Sequence, residues 1–207
     1  MFKLCLSLLL LIMMSPVVLG AGPARTPSAS PNEGGPRLRP YDSRATAVVL
    51  DGLQRSDTVR TLVERLEKKD VIVYLQMQPW LDSRLAGRLN WMAASREFRY
   101  VRVSLHPQLS GDAAVAALGH ELQHAVEIAE QPSIVDAASL AAHYRQHGIS
   151  MPGHTNGWDT LAARRVGDEV RRELLGSRGT RVAESIQGLD PAEWHIVYRR
   201  ARGMLPP

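Results

Sequence analysis

Residues 112–130 have the sequence DAAVAALGHELQHAVEIAE, and this stretch has the clearest pattern in the chain. Apolar side chains recur at helical spacing at Val115, Leu118, Leu122, Ala125 and Ala129. Ser110 or Asp112 could cap the start of a helix, and Pro132 stops it shortly after its end. The sequence therefore predicts one long amphipathic helix from about residue 112 to residue 130.

The same stretch contains the pattern His-Glu-x-x-His at residues 120–124. On an α-helix, His120 and His124 lie about 40° apart and one turn removed, so both imidazoles point the same way and one zinc ion can bind both. Glu121 is turned about 100° from His120, where it can reach a water molecule on the ion without being a ligand. The alternative is a pair of ordinary histidines, but a buried glutamate between them is costly without a partner.

On these residues the chain resembles the zincin metallopeptidases, especially the gluzincin type, over about residues 71–175. The resemblance implies an α+β fold in which a small mixed sheet is followed by an active-site helix and further helices. It implies Zn²⁺ as the cofactor, His120 and His124 as metal ligands, and Glu121 as the catalytic base. It also implies a peptide or protein substrate whose backbone pairs with an edge strand, here residues 85–94.

The sequence leaves the third metal ligand open. The gluzincin pattern implies an acid on a later helix, and Asp159 at a helix start, followed closely by two alanines, fits this best. Aspartate is shorter than the usual glutamate, so that helix must approach more closely, and an aspartate there is also a common cap. The alternatives are Glu169, Glu130, Glu127 and a histidine such as His154. Glu127 lies on the same helix face as both histidines, so we expect it to be a supporting group or a surface charge.

A second pair of histidines, His143 and His147, has the same spacing and provides an internal comparison. No glutamate lies between these two residues. Their surroundings are polar and close to a predicted helix end, where histidine complements the helix dipole. We expect this pair to be ordinary histidines near a helix end, and the alternative is a second metal site.

The flanking segments predict the remaining α+β elements. Strands are predicted by β-branched or alternating apolar residues at 71–77, 85–94 and 98–105. Helices are predicted by caps and apolar stripes at 57–69, 133–147 and 156–175. Ser56 or Asp57 would cap the first of these helices, and the last has the apolar stripe Leu161, Val166, Val170 and Leu174. Residues 47–50 could be a strand or a helix start, and Asp190-Pro191 predicts a helix start in the tail.

Length and composition limit the class of protein. The 207 residues are 44% hydrophobic and 22% charged, which fits one globular domain and excludes a coiled-coil rod or a disulfide scaffold. The net charge of +4 comes from scattered arginines among acidic residues, which indicates a solvated surface. We therefore expect no nucleic-acid partner. The sequence does not indicate an oligomeric state.

Residues 1–20 are typical of a secretory signal peptide. Lys3 precedes an apolar run, Pro16 interrupts the run, and a small residue, Gly20, suits a signal peptidase. The run is short for a membrane span, so a membrane location would require that the signal segment is retained. We expect export to the periplasm or the medium. Cys5, the one cysteine, lies in this segment, so the mature chain would contain no disulfide.

Residues 21–44 contain five of the 13 prolines and predict a flexible linker. The metallopeptidase domain is then expected over residues 45–207. Together these patterns predict an exported zinc-dependent metallopeptidase. The alternatives are a non-catalytic protein that keeps a structural or binding zinc site, and an envelope-binding protein without metal. Glu121 favours the enzyme, because a structural zinc site needs no carboxylate beside an open coordination position.

Overall fold

The computed structural model describes residues 35–109, 111–151 and 157–176. The predicted signal segment, the linker up to residue 34, His154 and the predicted tail helix lie outside these residues. The described part is an α+β fold with five helices and a small mixed sheet, which confirms the α+β part of the predicted fold class. Within that part, no helix is both long and apolar enough to cross a membrane.

The main sheet has four strands in the order β1-β2-β4-β3. These strands are β1 (Leu38–Pro40), β2 (Val71–Met77), β3 (Gly87–Ala94) and β4 (Arg99–Leu105). Strands β1, β2 and β4 are parallel, whereas β3 is antiparallel to β4 and forms one edge of the sheet. Alternate residues of the central strands are buried in the core, as Val73 and Val103 illustrate. The three predicted strands are all present.

The described helices are α1 (Ser43–Arg55), α2 (Asp57–Glu67), α3 (Asp112–Glu130), α4 (Ala137–His147) and α5 (Leu161–Gly176). Helix α3 is central, because it packs against α1, α2, α5 and the strands β2, β3 and β4. Its predicted apolar stripe is buried. A Cβ atom at Gly119 would lie only 2.7 Å from Val170 Cγ2, so α3 and α5 pack closely together.

Arginine side chains hold both ends of α3. Arg55 pairs with Asp112 in the first turn at 2.8 Å. At the other end, the buried guanidinium of Arg99 donates to the carbonyl of Ile128 at 2.8 Å and pairs with Asp70 at 2.6 Å. An anion at the start of a helix and a cation at its end both complement the helix dipole. The helix that contains the two histidines is therefore fixed at both ends.

The folded part begins earlier than the sequence predicts. Leu38–Pro40 lies inside the predicted linker 21–44, yet it pairs with β2, and Leu38 is fully buried. The predicted domain start at residue 45 is therefore too late. The sequence does not reveal this strand, because a three-residue strand beside prolines shows no recognisable periodicity. Residues 47–50 lie inside α1, so of the two alternatives for this segment the helix is correct.

The segment before α5 also differs from the prediction. The helix expected from residue 156 begins at Leu161, and Asp159 belongs to a two-residue strand, β6 (Trp158–Asp159), which pairs with β5 (Ile149–Ser150). Thr160 caps α5, since its Oγ1 accepts a hydrogen bond from the Ala163 amide at 3.0 Å. Leu161, predicted to be a core residue, is 58% exposed. Asp159 therefore precedes the helix and does not cap it.

The helix caps follow the sequence in part. Of the two predicted caps for α2, Ser56 is the one observed, and Asp57 is the first residue of the helix. Helix α3 follows Gly111, whose φ of 51° is a conformation that glycine adopts without strain. Among the described residues no side chain caps this helix, so Asp112 is a first-turn residue and not the cap. Ser110, the other predicted cap, lies outside the described residues. Helix α4 begins at Ala137, later than residue 133, because Asp136 and Ser139 form a capping box there.

Candidate metal centre

His120 and His124 direct their Nε2 atoms towards Asp159, which β6 places beside α3. The two Nε2 atoms lie 3.2 Å and 3.5 Å from Asp159 Oδ1. One possible ligand atom from each residue lies within 4.8 Å of the other two. The structure thus brings together the three residues that the sequence predicts to bind metal. Within residues 35–109, 111–151 and 157–176, this is the only such group of three.

The spacing of these donor atoms suits a tetrahedral metal ion. Bonds of about 2.0–2.1 Å place the corners of a tetrahedron about 3.3 Å apart. The two nitrogen-to-oxygen distances, 3.2 Å and 3.5 Å, lie on either side of that value. Two imidazole nitrogens and one carboxylate oxygen also leave a fourth position for water or substrate. The residues present therefore fit a metal ion.

Comparison of the chain with models of known families, with curated proteins and with solved structures finds no match. The functional interpretation therefore depends on the chemistry of the site.

The Asp159 carboxylate is held at both oxygens. Oδ1 accepts the backbone N–H of Thr160 at 2.7 Å, and Oδ2 accepts from Arg164 Nε at 2.7 Å. Burial alone would raise the pKa of Asp159, but hydrogen bonds from His120, His124 and Arg164 outweigh burial and hold the pKa below its usual range. The carboxylate is therefore ionised, which metal binding requires.

The far side of the His124 ring faces a carboxylate and a hydroxyl. Its Nδ1 lies 3.0 Å from Glu127 Oε2 and 3.2 Å from the Tyr144 hydroxyl, and Glu127 Oε1 accepts from Thr160 Oγ1 at 2.7 Å. A carboxylate at Nδ1 favours the tautomer that leaves the Nε2 lone pair free. Glu127 thus supports a candidate ligand without belonging to the donor group.

These neighbours determine the pKa of His124. Burial lowers the pKa of His124, but hydrogen bonds to Asp159 and Glu127 raise it more strongly, to about 9. A metal ion binds only the neutral ring, so binding would release a proton from this cluster at neutral pH.

Glu121 lies beside the donor group and has no hydrogen-bond or ion-pair partner among the described residues. The residue is only 5% exposed, and no described residue donates a hydrogen bond to its carboxylate. In the described part of the chain, every fully buried side-chain oxygen or nitrogen has a partner. The Glu121 oxygens must therefore be open to the adjoining cleft. Burial raises the pKa of Glu121, against the opposing charges of His124 and His120.

Strand β3 lies directly against this carboxylate. A Cβ atom at Gly87 would lie 2.7 Å from Glu121 Oε1, so glycine is the residue that leaves room for the side chain. A buried carboxylate with a raised pKa and access to water can accept a proton and return it.

The centre opens into a cleft of about 570 Å³. Residues 84–91, which include the first half of β3, form one wall, and α4 and β6 contribute to the other. The apolar lining includes Leu89, Trp91, Leu140 and Trp158. Three arginines, Arg84, Arg88 and Arg171, also line the cleft. A cleft of this size can hold a short extended chain or a small molecule.

The other candidate third ligands do not join the donor group. Glu130 pairs with Arg65 at 2.5 Å, and Glu169 pairs with Arg172. The carboxylates of both residues are partly exposed. His154 lies outside the described residues. Among the described candidates, only Asp159 joins both histidines.

Sequence reasoning missed four supporting residues. These are Gly87, Tyr144, Thr160 and Arg164. An isolated glycine in a strand pattern is a signal of close approach, and a threonine before a helix is a signal of a cap, so two of the four could have been found. Tyr144 and Arg164 gave no such signal, because their roles depend on how α4 and α5 pack around α3.

Proposed function

We propose that this chain is an exported zinc-dependent metallopeptidase with a zincin-like fold. The observation that supports this most strongly is the unpaired Glu121 carboxylate next to the convergent donors of His120, His124 and Asp159. A buried carboxylate without a partner costs stability, so its presence favours a chemical role. The central helix, the antiparallel edge strand and the cleft between them agree with the zincin resemblance of residues 71–175.

His120 Nε2, His124 Nε2 and Asp159 Oδ1 would hold the zinc ion. Bound zinc supplies a Lewis acid, which makes water more acidic and a peptide carbonyl more electrophilic. Arg164 and the Thr160 amide hold the Asp159 carboxylate in place. Glu127 holds the His124 ring through Nδ1. These contacts keep the donor atoms in position without rearrangement, which favours both binding and catalysis.

Glu121 would act as the general base and then as the general acid. One of its carboxylate oxygens takes a proton from the attacking water in the cleft. The same oxygen then passes the proton to the amine that leaves when the peptide C–N bond breaks. The raised pKa of Glu121 suits both steps, because the group can be deprotonated at the start and still be a competent acid afterwards.

The substrate would lie along the edge of β3. Peptide segments commonly bind enzymes and adaptors by adding a strand to an open sheet edge. The cleft follows residues 84–91, and Gly87 in this stretch contacts Glu121. A peptide backbone bound there would be brought next to the general base.

A non-catalytic zinc site is the second candidate. The coordinating residues alone are compatible with it. The open cleft and the unpaired Glu121 favour the peptidase, because a purely structural site is normally closed by four protein ligands.

Metal analysis paired with a peptidase assay tests this proposal. The full mature chain should contain zinc in a one-to-one ratio and should cleave an unfolded protein. A chelator should abolish cleavage, and added zinc should restore it. Tight zinc binding without cleavage of any peptide in a broad library would favour the non-catalytic candidate.

A further inference from the structure

Strand β3, which forms one wall of the cleft, is paired on one edge only among the described residues, and its regularly paired stretch is short. In the described part of the chain, β3 pairs only with β4, so its other edge has no strand neighbour. A bulge between Trp91 and Ala93 interrupts the regular pairing. The regular stretch is therefore Gly87–Trp91, and these five residues all line the cleft. A bound peptide strand would meet this stretch.

Arg88 is the one charged residue in β3, and it lies in this regular stretch. Its side chain is exposed, and it has no ion-pair partner among the described residues. Successive strand residues point to opposite faces, so Arg88 lies on the sheet face opposite to Gly87 and Glu121. Arg88 is across from Ser104 on β4, and Arg102 is across from Asn90, two positions further along β3. Arg88 and Arg102 are thus diagonal neighbours on one face.

No acidic residue balances these cations within β3 and β4. The two other arginines among the described residues that line the cleft, Arg84 and Arg171, pair with aspartates. The described lining also includes two acids, Glu121 and Asp159. Asp159 accepts hydrogen bonds from the histidine pair and Arg164, and Glu121 lies on the opposite face of β3. On the face of β3 that carries Arg88, the uncompensated charge within β3 and β4 is therefore positive.

We propose that the cleft selects acidic peptide segments, and that Arg88 recognises the carboxylate of an aspartate or glutamate on a substrate strand bound along β3. Residues directly across two strands have Cβ atoms about 4.5–5.5 Å apart, so opposite charges there attract and like charges repel. This inference rests on the proposed function for the strand-like binding mode. The terminal carboxylate of a peptide has the same chemistry, so the experiment must separate the two sources.

Peptide binding to the full-length Glu121→Gln variant, loaded with zinc, tests the proposal without turnover. The probes are fluorescent ten-residue peptides with acetylated and amidated ends, identical except for Glu, Gln or Lys at the central positions. Fluorescence anisotropy should show about fivefold tighter binding of the Glu peptide than of the Gln peptide, and weaker binding still of the Lys peptide. The preference for Glu should shrink as salt is added.

Arg88→Glu in the same background should reverse the order, so that the Lys peptide binds best. Arg165→Glu is the matched control, because Arg165 is also exposed, has no ion-pair partner among the described residues and lies outside the cleft. This control should keep the preference for Glu. Circular dichroism of each variant establishes that it is folded.

Equal affinities for the three blocked peptides would overturn the proposal, and so would an equal change in both arginine variants. A preference that appears only with a free peptide C-terminus would assign the site to a terminal carboxylate and overturn the side-chain assignment. If the Glu preference and its reversal are observed but the wild-type protein cleaves none of the peptides, acidic-peptide recognition stands and the peptidase proposal fails.

Discussion

Two His-x-x-x-His pairs lie on consecutive long helices, and only one of them belongs to a donor group. His120 and His124 lie on the buried helix α3, and both Nε2 atoms point to Asp159. His143 and His147 lie on α4, where their rings are 4.6 Å apart and no carboxylate joins them in the described part of the chain. The i, i+4 spacing therefore aligns two rings, but a metal centre also needs an acid supplied by another element.

The surroundings of the two pairs shift the pKa of a histidine in opposite directions. Burial and the charge of His147 both lower the pKa of His143. Around His124, carboxylates outweigh burial and raise the pKa to about 9. The residue after the first histidine differs as well. In the first pair it is Glu121, open to the cleft, whereas in the second it is Tyr144, whose hydroxyl contacts His124 and not its own pair. Tyr144, which lies between the two histidines of the second pair, thus belongs to the surroundings of the first site.

The largest difference between the pairs should appear in metal binding. His120→Ala removes a candidate ligand, so we expect loss of stoichiometric zinc and of peptidase activity. His143→Ala should keep both. Elemental analysis after dialysis measures the zinc content, and circular dichroism checks the fold. Equal loss of zinc in both variants would show that the two pairs do not differ as described.

The next largest effect is expected for Glu121→Gln, which should lose peptidase activity but keep its zinc. Glu121→Gln keeps the size of the side chain but removes the base, so activity should fall by a factor on the order of 10² or more. Zinc binding should be unchanged, because Glu121 is not part of the donor group. Steady-state assays and zinc titrations on the same preparation measure the two effects. Full activity in this variant would rule out the proposed proton transfer.

A smaller effect on zinc binding is expected from Glu127, whose carboxylate lies at the Nδ1 atom of His124. Glu127→Gln weakens the hydrogen bond that orients the ring, so zinc affinity should fall by about 10-fold to 100-fold. Glu130→Gln is the control, since Glu130 is also on α3 but pairs with Arg65 away from the site. Competition with a zinc indicator measures both affinities. An unchanged affinity in Glu127→Gln would show that this carboxylate does not support the site.

The smallest effect should come from Tyr144→Phe. The ring packing is kept and one hydroxyl near His124 Nδ1 is lost, while Glu127 remains. A single hydrogen bond contributes about 1 kcal/mol, so zinc affinity should fall about fivefold. The same indicator assay applies. A loss as large as that of His120→Ala would mean that Tyr144 has a more direct role than the structure indicates.

The sequence predicted those features that depend on one element at a time. The periodicity of α3 and the His-Glu-x-x-His spacing are local, so the direction of both imidazoles could be worked out before the fold was known. The sequence favours Asp159 as the third ligand, and the structure brings it to the histidines. The predicted place of Asp159 at a helix start is wrong, because the residue lies in β6. A two-residue strand has too few residues to produce a pattern in the sequence.

The features that the sequence could not predict depend on tertiary packing. Leu38–Pro40 becomes a strand because β2 is available to pair with it, and its own composition favours a linker. The contact between Gly87 and Glu121 requires that β3 lies over α3. The role of Tyr144 requires that α4 turns back towards α3. The signal segment, the export and the tail helix remain predictions, since they concern residues outside the described ranges.

Anomalous diffraction at the zinc absorption edge, from crystals of the full mature chain grown with zinc, would locate the bound ion among its ligands. We expect a single strong peak at about 2.0–2.2 Å from His120 Nε2, His124 Nε2 and one Asp159 oxygen, with Glu121 close by but not bound. A peak between His143 and His147, or one bound by Glu127 or Glu130 in place of Asp159, would contradict it.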